Sequence, residues 1–246
     1  MAQKELYKEE FWEDKREALS GLFGLPRLKG LLDFIYTRAG MLRAKDQAKW
    51  VLSSYKPRHI LEIGCGYGGG IIYWHRKGYD INGLEPDRKS VERINKKLGR
   101  ILVSCGKIES VGLKKKYDLL VLSHVIEHLP SLNRFFRAAA KVQADGGAVF
   151  VEVPNCEVKE VLHDSKENKA HVHHFTTKSL KNTFITHGYR IIKQETLISR
   201  IDLITGRGLP KIKRFARLAQ VLLAKEKSVK AKSQEANVIR LIAVKE

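Results

Sequence analysis

Short apolar runs alternate with segments of helical spacing from Arg58 onward. The apolar runs include residues 59–64, 117–123 and 146–154, and helical spacing extends from Leu132 to Val142. Repeated strand–helix–strand units connect through right-handed crossovers, which places their strands parallel in one sheet. The pattern therefore predicts an α/β fold in which helices cover both faces of a mostly parallel sheet.

The N-terminal region has a different pattern. Residues 1–57 carry mixed charge with scattered apolar positions, and we predict that they form an N-terminal helical cap. We expect breaks in its helices near Gly21, Pro26 and Gly40. The main domain is then predicted to cover residues 58–246.

The C-terminal region also departs from the strand–helix alternation. Residues 189–200 and 236–246 are strand candidates, and no helix between them is placed to force a parallel crossover. We predict that these two strands form an antiparallel pair. A basic helical insertion at about 201–235 separates them.

Composition limits the number of domains and the cellular locations that we expect. The chain has 246 residues, 43% of them hydrophobic, which is enough for one full core with appendages. No apolar run reaches the roughly 18 residues that a membrane-spanning helix needs, and the charged N-terminal stretch does not resemble a signal peptide. Cys65, Cys105 and Cys156 lie far apart without a CxxC pair, which argues against a disulfide framework and a cysteine zinc site. We expect a cytoplasmic protein, or one bound peripherally at a membrane surface.

The charge of the chain points to anionic partners. Its formal net charge is +19. Residues 210–225 predict an amphipathic helix, with Lys and Arg opposite an apolar arc. Such a helix would bind an anionic membrane surface, hold a lipid-linked substrate or pack on the domain. RNA is a further candidate partner, although no aromatic-rich stacking surface accompanies the charge.

A glycine-rich loop follows the first strand of the main domain. Gly64, Gly66 and Gly69 fit the G-x-G-x-x-G pattern of dinucleotide-binding domains, but this spacing does not distinguish a dinucleotide from another nucleoside ligand. No Lys-Ser or Lys-Thr pair follows the glycines, which argues against a Walker phosphate loop. Glu85 ends the second strand about 20 residues after Gly64, where a carboxylate accepts hydrogen bonds from ribose hydroxyls.

The loop and a second segment resemble class I S-adenosylmethionine-dependent methyltransferases. Residues 62–68 read Glu-x-Gly-x-Gly-x-Gly and are similar to motif I of these enzymes. Residues 117–136, YDLLVLSHVIEHLPSLNRFF, resemble motif IV of a group that includes ubiquinone-pathway, glycan and small-RNA O-methyltransferases. The resemblance implies a Rossmann-like, doubly wound, seven-stranded and mostly parallel sheet with an antiparallel C-terminal strand. It also implies S-adenosyl-L-methionine as the methyl donor.

The resemblance further implies which residues contact the donor. They are Glu62, Gly64, Cys65, Gly66, Glu85, Pro86, Ile108, Ser123 and His124. Many members carry an acidic residue after the third strand that binds the adenine amino group, whereas this chain has Gly-Lys-Ile-Glu at 106–109. Adenine contacts are then expected from the main chain at Lys107 and Ile108. Alternatively, Ile108 belongs to the core.

His124, Glu127 and His128 form the pattern H-x-x-E-H. Inverted zinc proteases carry this pattern within a helix, but here it follows a central strand at the ligand-binding edge of the sheet, which argues against a protease. The segment resembles the E-x-x-E-H stretch of small-RNA 2′-O-methyltransferases and ubiquinone-pathway O-methyltransferases, where a carboxylate and an imidazole hold a divalent ion. His124 replaces the first Glu, which favours zinc, manganese or iron over magnesium.

A second histidine segment, HVHH at 171–174, resembles a later segment of the same enzymes. We predict a divalent metal held by Glu127, His128 and His173. The catalytic candidates on the acceptor side are His124, Glu127, His128, His173 and His174, and His171 is a further member of the segment. Two alternatives stay open: metal-free acid–base use of the histidines, and a structural role in which Glu127 and His128 only cap a helix.

The combined prediction is a methyltransferase that methylates an oxygen atom of a small-molecule, glycan or lipid-linked acceptor. An RNA 2′-O-methyltransferase is the first alternative. An NAD-dependent oxidoreductase or a non-catalytic binding protein on the same fold is the second alternative. Neither form of the second alternative explains the segment after the fourth strand together with the later histidines.

Overall fold

The computed structural model of the protein describes residues 28–199 and 228–246. The predictions for residues 1–27, including the breaks near Gly21 and Pro26, lie outside the described residues. The same is true of residues 200–227, which contain the predicted amphipathic helix. Among the helices in the described ranges, none combines the length and the apolar character needed to cross a membrane.

One eight-stranded sheet forms the centre of the molecule, in the order β3-β2-β1-β4-β5-β8-β6-β7. Strands β1 to β5 pair in parallel, while β8 is antiparallel to both β5 and β6. The strands are β1 (His59–Ile63), β2 (Asp80–Glu85), β3 (Val103–Cys105), β4 (Tyr117–Ser123), β5 (Gln143–Pro154), β6 (Tyr189–Ile198), β7 (Val229–Lys230) and β8 (Val238–Lys245). This architecture confirms the predicted fold class. The extra strand is β7, a two-residue edge strand within the range expected to be insertion.

Helices cover both faces of the sheet. They are α1 (Leu28–Leu52), α2 (Gly69–Arg76), α3 (Arg88–Leu98), a 3-10 helix (Ile126–His128), α4 (Leu132–Val142), α5 (Lys159–Glu167) and α6 (Thr177–Thr186). Local sequence fixes several of their starts. The Asp87 side chain accepts a hydrogen bond from the main-chain N–H of Ser90 at the start of α3, and Ser131 caps α4 in the same way. Thr176 and Ser179 form a reciprocal capping box at α6.

Two apolar clusters, one on each face of the sheet, form the core. Phe135, Phe136 and Phe184 bring α4 and α6 into the first cluster. Trp50 and Trp74 bring α1 and α2 into the second. Because both faces are covered, β4 and β5 carry almost continuous apolar residues.

The expected break at Gly40 is wrong, because α1 continues through this residue for 25 residues in all. Gly40 instead lies against the start of α2. A Cβ on Gly69 would lie 2.5 Å from the Gly40 Cα atom. The two glycines therefore allow the helix backbones to touch, so that α1 crosses directly over the end of the glycine-rich loop.

We predict that Gly69→Ala destabilises the protein by about 1–3 kcal/mol, because the added methyl group overpacks the contact with Gly40. Urea unfolding followed by circular dichroism measures the change. Gly30→Ala, in helix α1, is the matched control, since a Cβ there meets no atom within 4 Å. Equal stability of Gly69→Ala and the wild type would contradict a close crossing of α1 and α2.

Candidate active site

The glycine-rich loop turns from β1 into α2 and closes over the end of β2. Gly64 has a φ of 75°, and a Cβ on it would lie 2.5 Å from the Val125 Cγ2 atom. The main-chain N–H of Gly66 donates a hydrogen bond of 2.7 Å to Glu85 Oε2. The loop therefore needs glycine for its conformation and for its close approach to the segment after β4.

Glu62 is a buried carboxylic acid beneath the start of α2. A Cβ on Gly70 would lie 2.2 Å from Glu62 Oε1, so the side chain occupies the space that a larger residue would need. Burial, together with the negative charge of nearby Glu85, raises the pKa of Glu62 to about 8. At neutral pH most molecules therefore carry Glu62 in the protonated form.

Glu85 lies at the carboxyl end of β2, and main-chain donors contact both of its oxygens. Gly66 N–H contacts Oε2, and Asp87 N–H donates to Oε1 at 3.1 Å. Burial raises the pKa of Glu85 to about 7, although these two hydrogen bonds oppose the shift. The carboxylate thus stands at the edge where open α/β sheets bind their ligands.

The other residues predicted for the donor site differ in their surroundings. The thiol of Cys65 is buried and directed at the Leu84 carbonyl oxygen, and burial raises its pKa well above the ordinary value. Ile108 belongs to the first apolar cluster, which agrees with the alternative that its side chain is core. Pro86 and Ser123 lie at the ends of β2 and β4, at the same edge as Glu85.

Glu127 is the most isolated carboxylate at this edge. It is 1% exposed, and no described residue makes a hydrogen bond of good geometry to either oxygen. The Nδ1 atom of His124 lies 3.4 Å from Glu127 Oε1. Burial would raise the pKa of Glu127, but the imidazoles of His124 and His128 outweigh it and hold the pKa below its ordinary value. A buried acid that stays ionised requires positive charge close by, which a protonated imidazole or a bound cation supplies.

Two imidazoles surround Glu127. One potential ligand atom each from Glu127, His128 and His171 lies within 4.8 Å of the others. The Nδ1 atom of His128 is 2.9 Å from the Ala170 carbonyl oxygen. Because a carbonyl only accepts hydrogen bonds, Nδ1 carries a proton, and in the neutral ring the lone pair is then on Nε2. Burial and the neighbouring His128 lower the pKa of His171 to about 4, so this ring is neutral at pH 7.

Of the histidines at 171–174, the structure groups His171, and not the predicted His173, with Glu127 and His128. The main-chain N–H groups of Val172 and His173 both donate to the Glu127 carbonyl oxygen. The Nε2 atom of His173 lies 3.0 Å from the Leu129 carbonyl oxygen. His174 is exposed, and its Nδ1 atom contacts the Ser165 hydroxyl.

His124 directly follows β4 and has a strained backbone conformation. Its φ is 55°, in the left-handed region that non-glycine residues rarely adopt. Its main-chain N–H donates to the Glu152 carbonyl oxygen at 2.8 Å, and its Nε2 atom lies 3.6 Å from Glu152 Oε1. Strain of this kind persists where the surroundings fix it, and it is common at active sites.

A buried ionic network behind His124 was not predicted from the sequence. Arg240 on β8 donates through Nε to Glu152 Oε2, and its Nη2 atom lies 2.8 Å from Asp46 Oδ2. Gln47 of α1 donates to Glu152 Oε1 at 2.7 Å and to the Ser123 hydroxyl at 2.8 Å. The network therefore ties α1 and β8 to the ends of β4 and β5. The sequence signal for it is a single Glu within the apolar run 148–153 and a single Arg within the apolar run 238–244.

A family model described as a methyltransferase domain matches residues 7–194. The chain belongs to this methyltransferase family. Membership, together with the fold, confirms the prediction of a class I S-adenosylmethionine-dependent methyltransferase.

The curated relatives of this methyltransferase are distant. Ajmaline N-methyltransferase of Rauvolfia serpentina is 26% identical over 136 residues, which cover 46% of this chain and 44% of the relative. Ubiquinone biosynthesis O-methyltransferase of Bradyrhizobium sp. strain ORS 278 is 23% identical over 150 residues, which cover 59% of this chain and 58% of the relative. The chain thus spans about half the length of the curated relatives it matches. Their names differ in the atom that is methylated.

A solved structure resembles the methyltransferase over most of its length. The SAM-dependent methyltransferase of Archaeoglobus fulgidus has a TM-score of 0.59 and 17% identity, and the match covers 84% of this chain and 94% of that protein. At this identity the likeness shows a shared fold.

We predict that the stability of the donor-free methyltransferase falls as the pH rises from 6.5 to about 8. Glu62 and Glu85 have pKa values raised to about 8 and about 7, so the folded state binds more protons than the unfolded state in this window. The lowered pKa of His171, about 4, acts only below pH 6.5. Urea unfolding at several pH values measures the slope, which should be smaller in Glu62→Gln. An unchanged slope in that variant would contradict the raised pKa of Glu62.

We also predict that Arg240→Leu destabilises the protein by about 3–5 kcal/mol, because it leaves Glu152 buried without its cation. The double variant Glu152→Leu/Arg240→Leu removes both charges and should be more stable than the single variant. Urea unfolding of both proteins tests this order. A double variant no more stable than Arg240→Leu would show that the ion pair is not the main contribution of Arg240.

Proposed function

We propose that the protein is an O-methyltransferase that transfers the methyl group of S-adenosyl-L-methionine to a hydroxyl group of a small-molecule, glycan or lipid-linked acceptor. The observation that carries this proposal is the buried carboxylate of Glu127, which no described residue hydrogen bonds and which faces His128 and His171. A hydroxyl acceptor must lose a proton during methyl transfer, and a group of this kind is suited to activate it.

The donor is proposed to bind along the ends of β1, β2 and β4. Its contacts would come from Glu62, Gly64, Cys65, Gly66, Glu85, Pro86, Ser123, His124 and the main chain at Ile108. Glu85 is proposed to accept hydrogen bonds from the ribose hydroxyls, since its carboxylate already accepts two main-chain N–H groups at this edge. Glu62 would support the glycine-rich loop, because its side chain fills the space beside Gly70.

Methyl transfer depends mainly on the alignment of the acceptor with the donor, because the sulfonium group of the donor is already reactive. The acceptor oxygen attacks the sulfonium methyl group, the carbon–sulfur bond breaks, and neutral S-adenosylhomocysteine leaves. The chain contributes by holding the acceptor in line and by excluding water. His124 follows β4, beside the proposed donor site, and its main chain is fixed by Glu152. This position supports a role for His124 in orienting the acceptor hydroxyl.

The residues around Glu127 fit a divalent cation. The carboxylate has no hydrogen-bond donor among the described residues, and the Nδ1–H group of His128 points to a carbonyl, as in many metal-binding histidines. We propose Glu127, His128 and His171 as its ligands. Bound there, a divalent cation would lower the pKa of the acceptor hydroxyl. Two imidazoles and one carboxylate favour zinc, manganese or iron over magnesium.

RNA is the second candidate acceptor, because the described surface carries a basic pocket. A cavity of about 140 Å³ between α1 and α3 is lined by residues that include Tyr67, Arg93, Lys97 and Asp33, and Asp33 pairs with Arg93 at 3.0 Å. Burial, with the positive charges of Arg76 and Arg93, lowers the pKa of Lys97. Lys97 and the aromatic ring of Tyr67 are the groups of this cavity that suit a phosphate backbone and a base. The basic segment 210–225, which lies outside the described residues, is a second candidate for binding RNA or an anionic membrane surface.

The proposed function is tested by supplying isotopically labelled S-adenosylmethionine with Mn²⁺ or Zn²⁺ and a set of acceptors: a quinol, an oligosaccharide, a lipid-linked saccharide and a short RNA. Mass spectrometry locates the labelled methyl group, which we expect on oxygen. Glu127→Gln should lower the rate about tenfold or more, whereas Glu160→Gln, an exposed carboxylate of α5, should not. Methylation of nitrogen or carbon, or full activity of Glu127→Gln, would contradict the proposal.

We further predict that Glu85→Ala weakens the binding of S-adenosylhomocysteine about 10- to 100-fold, because two hydrogen bonds to a carboxylate are lost. Isothermal titration calorimetry measures the affinity. Glu92→Ala is the matched control, since Glu92 is an exposed carboxylate of α3, the helix that follows β2. Unchanged affinity in Glu85→Ala would remove this residue from the ribose site.

A further inference from the structure

One buried hydroxyl contacts two of the later histidines. Ser165 lies on α5 and is 3% exposed. Its Oγ atom is 2.8 Å from the Nδ1 atom of His171 and 2.8 Å from the Nδ1 atom of His174. His171 is half-buried beside Glu127, while His174 is exposed. The three side chains therefore form a hydrogen-bonded chain from the proposed cation site to the protein surface.

Counting protons leaves two arrangements for His171. A serine hydroxyl has one hydrogen and two lone pairs, so Ser165 donates to at most one of the two imidazole nitrogens. At least one of the two rings must therefore carry a proton on Nδ1. Either His171 carries its proton on Nδ1 and donates to Ser165, or it accepts from Ser165 and carries its proton on Nε2.

The surroundings of Glu127 favour the first arrangement. A proton on Nε2 of His171 would be a hydrogen-bond donor beside a buried carboxylate. However, within the described residues neither oxygen of Glu127 receives a hydrogen bond. With the proton on Nδ1, the lone pair of Nε2 is left for a cation, as it is in His128. The rings of His128 and His171 would then each offer an unprotonated Nε2 atom to the cation.

We propose that Ser165 and His174 are positioning residues that hold His171 in the tautomer and orientation needed to bind a cation. The order of donation is His171 Nδ1–H to Ser165 Oγ, and Ser165 O–H to His174 Nδ1. This inference rests on the proposed cation site of Glu127, His128 and His171. It adds a role for α5, which contributes no proposed ligand of its own. Partners of this kind around a metal-binding histidine fix the ring and change metal affinity.

The tautomers are tested without any metal by long-range ¹H–¹⁵N NMR of the imidazole rings. We expect wild-type His171 to carry its proton on Nδ1 and His174 to carry its proton on Nε2. In Ser165→Ala, the spectrum of His171 should change to that of a mixed population. A proton on Nε2 of His171 in the wild type would overturn the proposal, whether or not the protein binds a metal.

Metal affinity provides the second test, with Co²⁺ as the probe and its visible absorption as the signal. Ser165→Ala should bind Co²⁺ about 10- to 100-fold more weakly than the wild type. His174→Ala, which changes an exposed side chain and leaves the core intact, should fall between them. His163→Ala removes another exposed imidazole, near Ser165 on α5, and should bind as the wild type does.

The outcomes separate this inference from the proposed function. If Ser165→Ala binds Co²⁺ within twofold of the wild type while His128→Ala does not bind it, the cation site stands and the role of Ser165 is overturned. If the wild-type protein binds no Co²⁺, the proposed cation site fails, and with it the positioning role. Weaker binding in Ser165→Ala, together with Nδ1 protonation of His171, supports both.

Discussion

Parallel pairing of β2, β1, β4 and β5 forces the segments that follow these strands to leave the sheet at one edge. Everything proposed for this protein depends on that constraint. It brings together Glu62, Glu85, His124 and Glu152, which are widely separated in the sequence. Because helices cover both faces of the sheet, the same constraint also buries acidic side chains, and burying a charge is costly unless it is compensated.

Four buried glutamates at this edge meet that cost in different ways. Glu152 is paired with Arg240, Glu85 accepts two main-chain hydrogen bonds, and Glu62 is kept largely protonated at neutral pH by its raised pKa. Glu127 accepts no hydrogen bond of good geometry among the described residues, and its positive partners are imidazoles, which lower its pKa. This contrast is why we assign a cation to Glu127, and not to the other three.

Sequence reasoning predicted the features that depend on local pattern. Strand–helix alternation and the run of glycines sufficed for the parallel sheet and for the position of the glycine-rich loop between β1 and α2. The contact of Gly40 with Gly69, the pairing of Glu152 with Arg240 and the choice of His171 over His173 depend on long-range geometry, which one-dimensional spacing does not contain. The histidines illustrate the limit, since their spacing along the chain does not show that His171 lies beside Glu127 and His128 while His173 contacts the Leu129 carbonyl oxygen.

The most direct test of this account is a crystal structure of the protein with S-adenosylhomocysteine and Co²⁺, recorded at the cobalt absorption edge. The account predicts the ribose against Glu85, and an anomalous peak bounded by Glu127, His128 and His171. A ribose bound away from Glu85 would contradict the proposed donor site. The absence of an anomalous peak beside Glu127 would contradict the central claim, that this edge of the sheet holds a cation next to the methyl donor.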